Sequence, residues 1–227
     1  DIANIGLLNE VANSSVQKVM LGAGGAYSVE LQQAIDILSA KEVVILLGFQ
    51  GYPTPNETNQ IARVSLLLER FGHAHNNVSV GFADHAPPES SLRYALAATA
   101  IGAGATVLEK HLTLGQVMKL EDHESALNPD EFSEFTQVIR NCAEAFGETK
   151  DVEDFRMSQA EKSYRKAIRR HVVTSRDLQK GLKIAPTDLV LKRCSAENVL
   201  TDLELAYGKT LKRDLKQNTP IDPNDIT

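Results

Sequence analysis

Strict alternation of strand-like and helix-like stretches predicts an α/β fold: helices wound on a parallel sheet, followed by a small domain rich in short strands. Three observations carry this. Four strand–helix units follow one another before residue 148, the pattern of parallel βαβ winding. Residues 43–47 (VVILL) form a continuous apolar run, as a strand buried on both faces requires. Beyond residue 164 the pattern shortens to extended pieces separated by turn signals such as Gly181 and Pro186. The residue pattern fits a sheet either open or closed. A (β/α)8 barrel takes about 250 residues, so the 147 residues ahead of a charged stretch supply half of one.

The elements follow in order. Asp1-Ile2-Ala3-Asn4 reads as a loop into a helix whose apolar face is Ile5, Leu7, Leu8 and Val11. Residues 18–21 (KVML) read as a strand, and Gly22-Ala23-Gly24-Gly25 follows. Glycines between a strand and a helix either cradle an anion with backbone amides or make a tight βα turn; residue types leave both open. Residues 28–39 carry Val29, Leu31, Ala34, Ile35 and Leu38 at helical spacing, with Ser28 as N-cap and Glu30 in the first turn. The strand at 43–47 exits into Gly48-Phe49-Gln50-Gly51-Tyr52-Pro53-Thr54-Pro55, too rich in proline to continue as sheet. Gln50 and Tyr52 therefore either shape a structural loop or face whatever lies at that strand exit. Residues 61–71 read as an amphipathic helix, and His73 and His75 as solvated loop residues.

The central unit is residues 78–113. A short apolar run ends on Ala83-Asp84-His85, and Pro87-Pro88 leads to an alanine-rich helix. Gly102-Ala103-Gly104-Ala105 then turns the chain into a second run ending on Glu109-Lys110-His111. Two parallel neighbours lie about 4.8 Å apart, so His85 and His111 are expected side by side at one edge. Period-2 alternation puts Glu109 and His111 on one face and Lys110 on the other. Two imidazoles and a carboxylate at strand C-terminal ends suit a divalent ion or a catalytic constellation. The plainer alternative is a pair of satisfied core histidines. Residues 115–127 read as a loop containing Asp122, and Asn128-Pro129-Asp130-Glu131 as a capped helix start. Domains are expected at 1–147 and 165–227, joined by a linker at 148–164 with some helix.

The totals narrow the function classes. At 227 residues, 42% hydrophobic and 24% charged, the composition is that of a soluble globular protein. A net charge of −6 gives no electrostatic case for nucleic acid or an anionic membrane. No apolar run approaches the ~20 residues of a membrane-spanning helix. Cys142 and Cys194 lack any paired spacing, which points to reduced thiols in a cytoplasm.

These motifs resemble those of the sialic acid synthases, or N-acetylneuraminate synthases. The resemblance runs through LGAGG with SVELQQAI, YPTP, GFADH, LEKHLT and EDHESALNPDEF. From Arg169 it passes to RRHVVTSRDLQKGLKIAPTDLVLKR and YGKTLKRDLKQNTPI, which resemble the family's antifreeze-like (SAF) domain. It implies the C-terminal half of a (β/α)8 TIM-type barrel followed by a small β-rich SAF domain, in a domain-swapped homodimer. It implies condensation of phosphoenolpyruvate with an N-acetylmannosamine-like amino sugar. His85 and His111 would then be metal ligands, for Mn²⁺ in preference to Mg²⁺. Glu109 and Asp1 would be catalytic, Asp1 standing where the family has a glutamate. Gln50, Tyr52 and Asp122 would contact substrate, and Arg193 would reach the other subunit's site. Gly22 and Ala83 occupy phosphate-binding positions where the family has serines, and Cys194 replaces a proline. The barrel's amino-terminal half, with a phosphate-gripping lysine and further serines, is expected outside this chain. A non-catalytic homologue that binds sugar, or serves assembly, is the alternative.

Overall fold

The computed structural model describes residues 2–49, 51–147 and 157–227. Its first unit, residues 1–148, is built from α1 (Ile5–Asn13), β1 (Lys18–Gly22), α2 (Ser28–Ile37), β2 (Glu42–Leu47), α3 (Arg63–Leu67), β3 (Val78–Asp84), α4 (Ala95–Gly102), β4 (Val107–Leu112), β5 (Ala126–Leu127) and α5 (Pro129–Phe146). Among the described residues the sheet has five strands in the order β1-β2-β3-β4-β5, each parallel to its neighbour. This curled sheet with its helices is the expected part-barrel.

Alternation sorts the two faces. Val43, Ile45 and Leu47 of β2 and Val78, Val80 and Phe82 of β3 pack into one core with Leu31, Ala34, Ile35 and Leu38 of the α2 region and with Val64, Leu67 and Phe71. The other face carries Val44, Leu46, Gly81 and Ala83. A second cluster of Ala97, Leu127, Phe135 and Ile139 fastens α4, β5 and α5 together. Residues 169–227 rest on a core of their own, in the second unit of residues 149–227. That unit contains α6 (Gln159–Ile168), β6 (Arg170–Thr174) and β7 (Leu189–Arg193), the strands pairing antiparallel. Val172, Leu178, Ile184, Leu211, Leu215 and Ile221 fill it. Isolated bridges, Lys183 with Thr210 and Leu211 with Ile226, complete its short extended pieces.

Several local expectations change. Ser28 is the first helical residue rather than the cap; Tyr27 caps α2, and its N–H donates to Glu30 Oε2 at 2.7 Å. The helix expected at 61–71 is split into α3 and a π turn, Leu68–Gly72, in which the His73 N–H reaches the Leu68 carbonyl at 2.9 Å. The wide turn sets Leu68 against Gly104, where any Cβ would lie 2.3 Å from Leu68 Cδ1. Ala167 and Ile168, in the stretch beyond residue 164 where extended pieces are expected, instead end α6. The cap of α5 is as expected: Asn128 precedes Pro129, and its N–H donates to Glu131 Oε2 at 2.9 Å.

Glycines set how closely the strand ends approach. A Cβ on Gly24 would lie 2.3 Å from the Gly48 carbonyl oxygen, and one on Gly48 would lie 2.6 Å from Ala83 Cβ. Gly48→Ala is expected to destabilise the protein by about 1–3 kcal/mol through overpacking. By contrast, Gly102→Ala, on a helix with nothing within 4 Å of the new methyl, is expected to stabilise it by about 0.4–1 kcal/mol. Urea unfolding midpoints compare the two; a Gly48→Ala protein as stable as the wild type would show that the strand ends have room to spare.

Candidate active site at the strand C-terminal edge

The register of β3 on β4 pairs Ala83 with Glu109 and Asp84 with Lys110, so the residues that follow, His85 and His111, come level. His85 follows directly on β3, and His111 lies near the end of β4. Their rings sit with centroids 5.2 Å apart, and the Tyr52 ring packs edge-on to both, at 4.7 Å from His85 and 5.2 Å from His111. Glu109 Oε1 is 3.9 Å from His85 Nε2. One ligating atom from each of His85, Glu109 and His111 can be chosen so that all lie within 4.8 Å of one another.

The tautomer of the neutral His85 ring is set by its surroundings. Its Nδ1 lies 2.7 Å from the Phe49 carbonyl oxygen, which can only accept, so Nδ1 carries the proton. The lone pair is then on Nε2, which is buried and without a hydrogen-bond partner among the described residues. A buried, unsatisfied imidazole nitrogen beside a carboxylate and a second imidazole is a fit for a divalent cation. The plainer reading of two satisfied core histidines does not account for that nitrogen.

The loop after β2 is strapped around this point. Thr54 Oγ1 donates to the Phe49 and Gly51 carbonyls at 3.1 and 2.8 Å, and the Thr54 N–H donates to the His85 carbonyl at 3.0 Å. The Ser125 hydroxyl donates to the same carbonyl at 2.9 Å. Asp122, in a left-handed backbone conformation at φ 57°, brings Oδ2 to 3.7 Å from His111 Nδ1. Burial pushes the Tyr52 phenol above its ordinary 10.0, and the Asp122 and Glu109 carboxylates push it further the same way. On the opposite face Lys110 and Asp84 form a buried pair, Nζ to Oδ1 at 3.3 Å. Burial draws the Lys110 ammonium below its ordinary 10.5, against the opposing pull of Asp84.

A cleft of about 460 Å³ opens over this edge, lined by Gly22, Gly24, Leu46, Tyr52, Ala83, His85 and Glu109 among others. Gly22 and Ala83 thus border the same space as the imidazole and the carboxylate. Arg193 ends β7 in the second unit, exposed, in register with Arg170. Asp1 and Gln50 lie outside the described residues. Sequence reasoning gave no role to Ser125, Thr54 and the Phe49 carbonyl, whose hydrogen bonds all involve backbone carbonyls. It also missed the Asp84–Lys110 pair, although the strand register would have placed the two opposite each other.

The match to known families decides what this edge belongs to: the NeuB family covers residues 1–151. The chain belongs to the NeuB family. Residues 169–227 of this NeuB-family chain match the SAF domain. It is 29% identical over 230 residues to the N,N'-diacetyllegionaminic acid synthase of Campylobacter jejuni, spanning 97% of this chain and 63% of that protein. It is 24% identical over 249 residues to the N-acetylneuraminate-9-phosphate synthase of Drosophila melanogaster, spanning all of this chain and 64% of that protein. In fold it is similar to a Chromobacterium violaceum protein named for spore coat polysaccharide biosynthesis, with TM-score 0.75 and 22% identity over all of this chain and 65% of that one. The NeuB-family chain therefore spans less than two thirds of the length of these relatives.

The phenol of Tyr52 offers a direct check on the geometry. In ultraviolet pH titrations, the difference between wild type and Tyr52→Phe is expected to show a phenol ionising above 10.0. An ionisation below that value would show that Tyr52 does not face the two carboxylates.

Proposed function

We propose that this chain carries the metal and sugar end of a synthase that condenses phosphoenolpyruvate with an N-acetylmannosamine-like amino sugar to form a nonulosonic acid. The observation that carries this reading is the convergence of His85, His111 and Glu109 at one strand edge, with His85 Nε2 buried and unpartnered among the described residues. Relatives named as legionaminic acid and N-acetylneuraminate-9-phosphate synthases support the substrate class.

The reaction forms a bond between the enol carbon of phosphoenolpyruvate and the sugar's aldehyde carbon, whose oxygen takes up a proton. Water adds to the cation left on the oxygen-bearing carbon, and phosphate leaves as that carbon becomes a ketone. A divalent ion on the imidazoles, Mn²⁺ in preference to Mg²⁺, supplies Lewis acidity to the aldehyde oxygen when bound. The chain's own groups do the rest. The Phe49 carbonyl keeps the His85 lone pair on Nε2. The Tyr52 phenol, held protonated, donates to a sugar oxygen. Glu109, 48% exposed at the cleft, orients and deprotonates water. Asp122 holds His111 and meets the sugar. Asp1 and Gln50 complete the catalytic and sugar contacts, and Gly22 and Ala83 border the phosphate end. Arg193, whose fork of donors suits sugar oxygens, enters the site of the second subunit in a domain-swapped homodimer. A cytoplasmic location goes with this reading.

A second reading has one observation in its favour. Gly22 and Ala83 offer no hydroxyl to the phosphate end of the cleft, which suits a homologue that binds sugar without condensing it.

Phosphate release and keto acid formation by the full-length protein, given Mn²⁺, phosphoenolpyruvate and N-acetylmannosamine, test the proposal. His85→Ala and His111→Ala are each expected to abolish turnover with the fold retained in circular dichroism. Full turnover by either variant in metal-stripped buffer would sink the assignment, and sugar binding without turnover in the wild type would favour the second reading. Serines at the phosphate end make a separate test. The Gly22 position has nothing within 4 Å of a new Cβ, so a side chain fits there. Gly22→Ser with Ala83→Ser is expected to strengthen phosphoenolpyruvate binding by about 1.5–3 kcal/mol for each hydroxyl that reaches the phosphate. Calorimetry showing no change would move the phosphate elsewhere.

A further inference from the structure

His85 is the first residue beyond β3, so no ladder hydrogen bond of that strand fixes it. The residues on either side of it are nevertheless tied to one buried ammonium. Lys110 Nζ donates to Asp84 Oδ1 at 3.3 Å and to the Ala86 carbonyl at 2.7 Å. The Ala86 N–H donates back to Asp84 Oδ1 at 2.8 Å. The side chains of Lys110 and Asp84 are 1% and 0% exposed. Asp84 Oδ2 has no partner among the described residues, so Lys110 is the cation that balances this carboxylate.

A buried ion pair is a poor way to stabilise a fold, because desolvating two charges offsets most of their attraction and packed apolar side chains do as well. Here the pair has a geometric consequence that apolar side chains lack. Asp84 and Lys110 are register partners, each one residue before a histidine of the proposed metal site. Their side chains point to the helix side while His85 and His111 point to the cleft. We infer that Lys110 is a positioning residue, which clamps Asp84 and Ala86 on both sides of His85 and so aims its Nε2 at Glu109 and His111. The inference rests on the metal reading above. It adds a group behind the site that touches neither metal nor substrate.

The test separates positioning from folding. In the full-length protein, Lys110→Met leaves a buried carboxylate unbalanced and should lower both the melting temperature and Mn²⁺ affinity. Asp84→Asn combined with Lys110→Met removes both charges and keeps the acceptor for the Ala86 N–H. This double variant should regain most of the melting temperature yet bind Mn²⁺, titrated alone and read by electron paramagnetic resonance, about 10- to 100-fold more weakly than wild type. Mn²⁺ affinity within about threefold of wild type would overturn the inference, since the pair would then serve the fold only. If the double variant does not fold, Asp84→Asn alone decides by the same readings, with a loss of at least about threefold expected. A metal-free reading accompanies each: the His85 Nδ1–H nuclear magnetic resonance signal, held by Phe49 in the wild type, should broaden or shift in the variants. If the wild type binds no Mn²⁺ while this signal changes as stated, the metal reading fails and the clamp stands. An unchanged signal overturns the clamp.

Discussion

Parallel pairing of β3 with β4 is the constraint on which the site depends. Hydrogen bonding between the two strands brings His85 and His111 level, and the 5.2 Å between the two imidazole rings follows from ordinary strand spacing. Each flanking loop then has one fixed object to close on. The loop after β2 brings Tyr52 against both rings, and the loop after β4 brings Asp122 against His111. Long-range order in these loops comes from backbone acceptors, since Ser125 and Thr54 both end on the His85 carbonyl. Polar groups of three separate segments are satisfied at one point, which is how irregular chain is held at a strand edge.

Close approach of the neighbouring strand exits shapes the other end of the cleft. Gly24, Gly48 and Ala83 pack with no room for larger side chains at the first two, so the floor there is backbone. A floor of this kind presents amides and carbonyls rather than side-chain donors. It leaves the polar side chains of the cleft concentrated around His85, Glu109 and Tyr52, away from Gly22.

The features legible in the sequence were those written in single elements. The apolar run 43–47 is buried as expected, the Asn128 cap forms, and alternation sorted Lys110 from Glu109 and His111 onto opposite faces. What stayed hidden depends on a distant partner. The π turn of residues 68–72 accommodates Leu68 against Gly104, a contact set by the fold rather than by local propensity. Ser28 looked like a cap because its type suits one, yet Glu30 reaches the N–H of the residue before it. Alternation places Lys110 on the far face but does not pair it with Asp84, whose nearness shows only once the register of β3 on β4 is laid out. Arg193 lies exposed at the end of β7, in register with Arg170.

Among the described residues, each unit has hydrophobic clusters of its own. The clusters around Ile45 and Phe82, and around Leu127 and Phe135, lie wholly in residues 1–148, and that around Leu178 and Leu211 lies wholly in residues 149–227. Apolar burial is what makes unfolding cooperative, so each unit has its own reason to melt as a whole. Stability changes such as that of Gly48→Ala are therefore read on the unit that holds the residue. Loosening the small unit would free Arg193 from its register with Arg170.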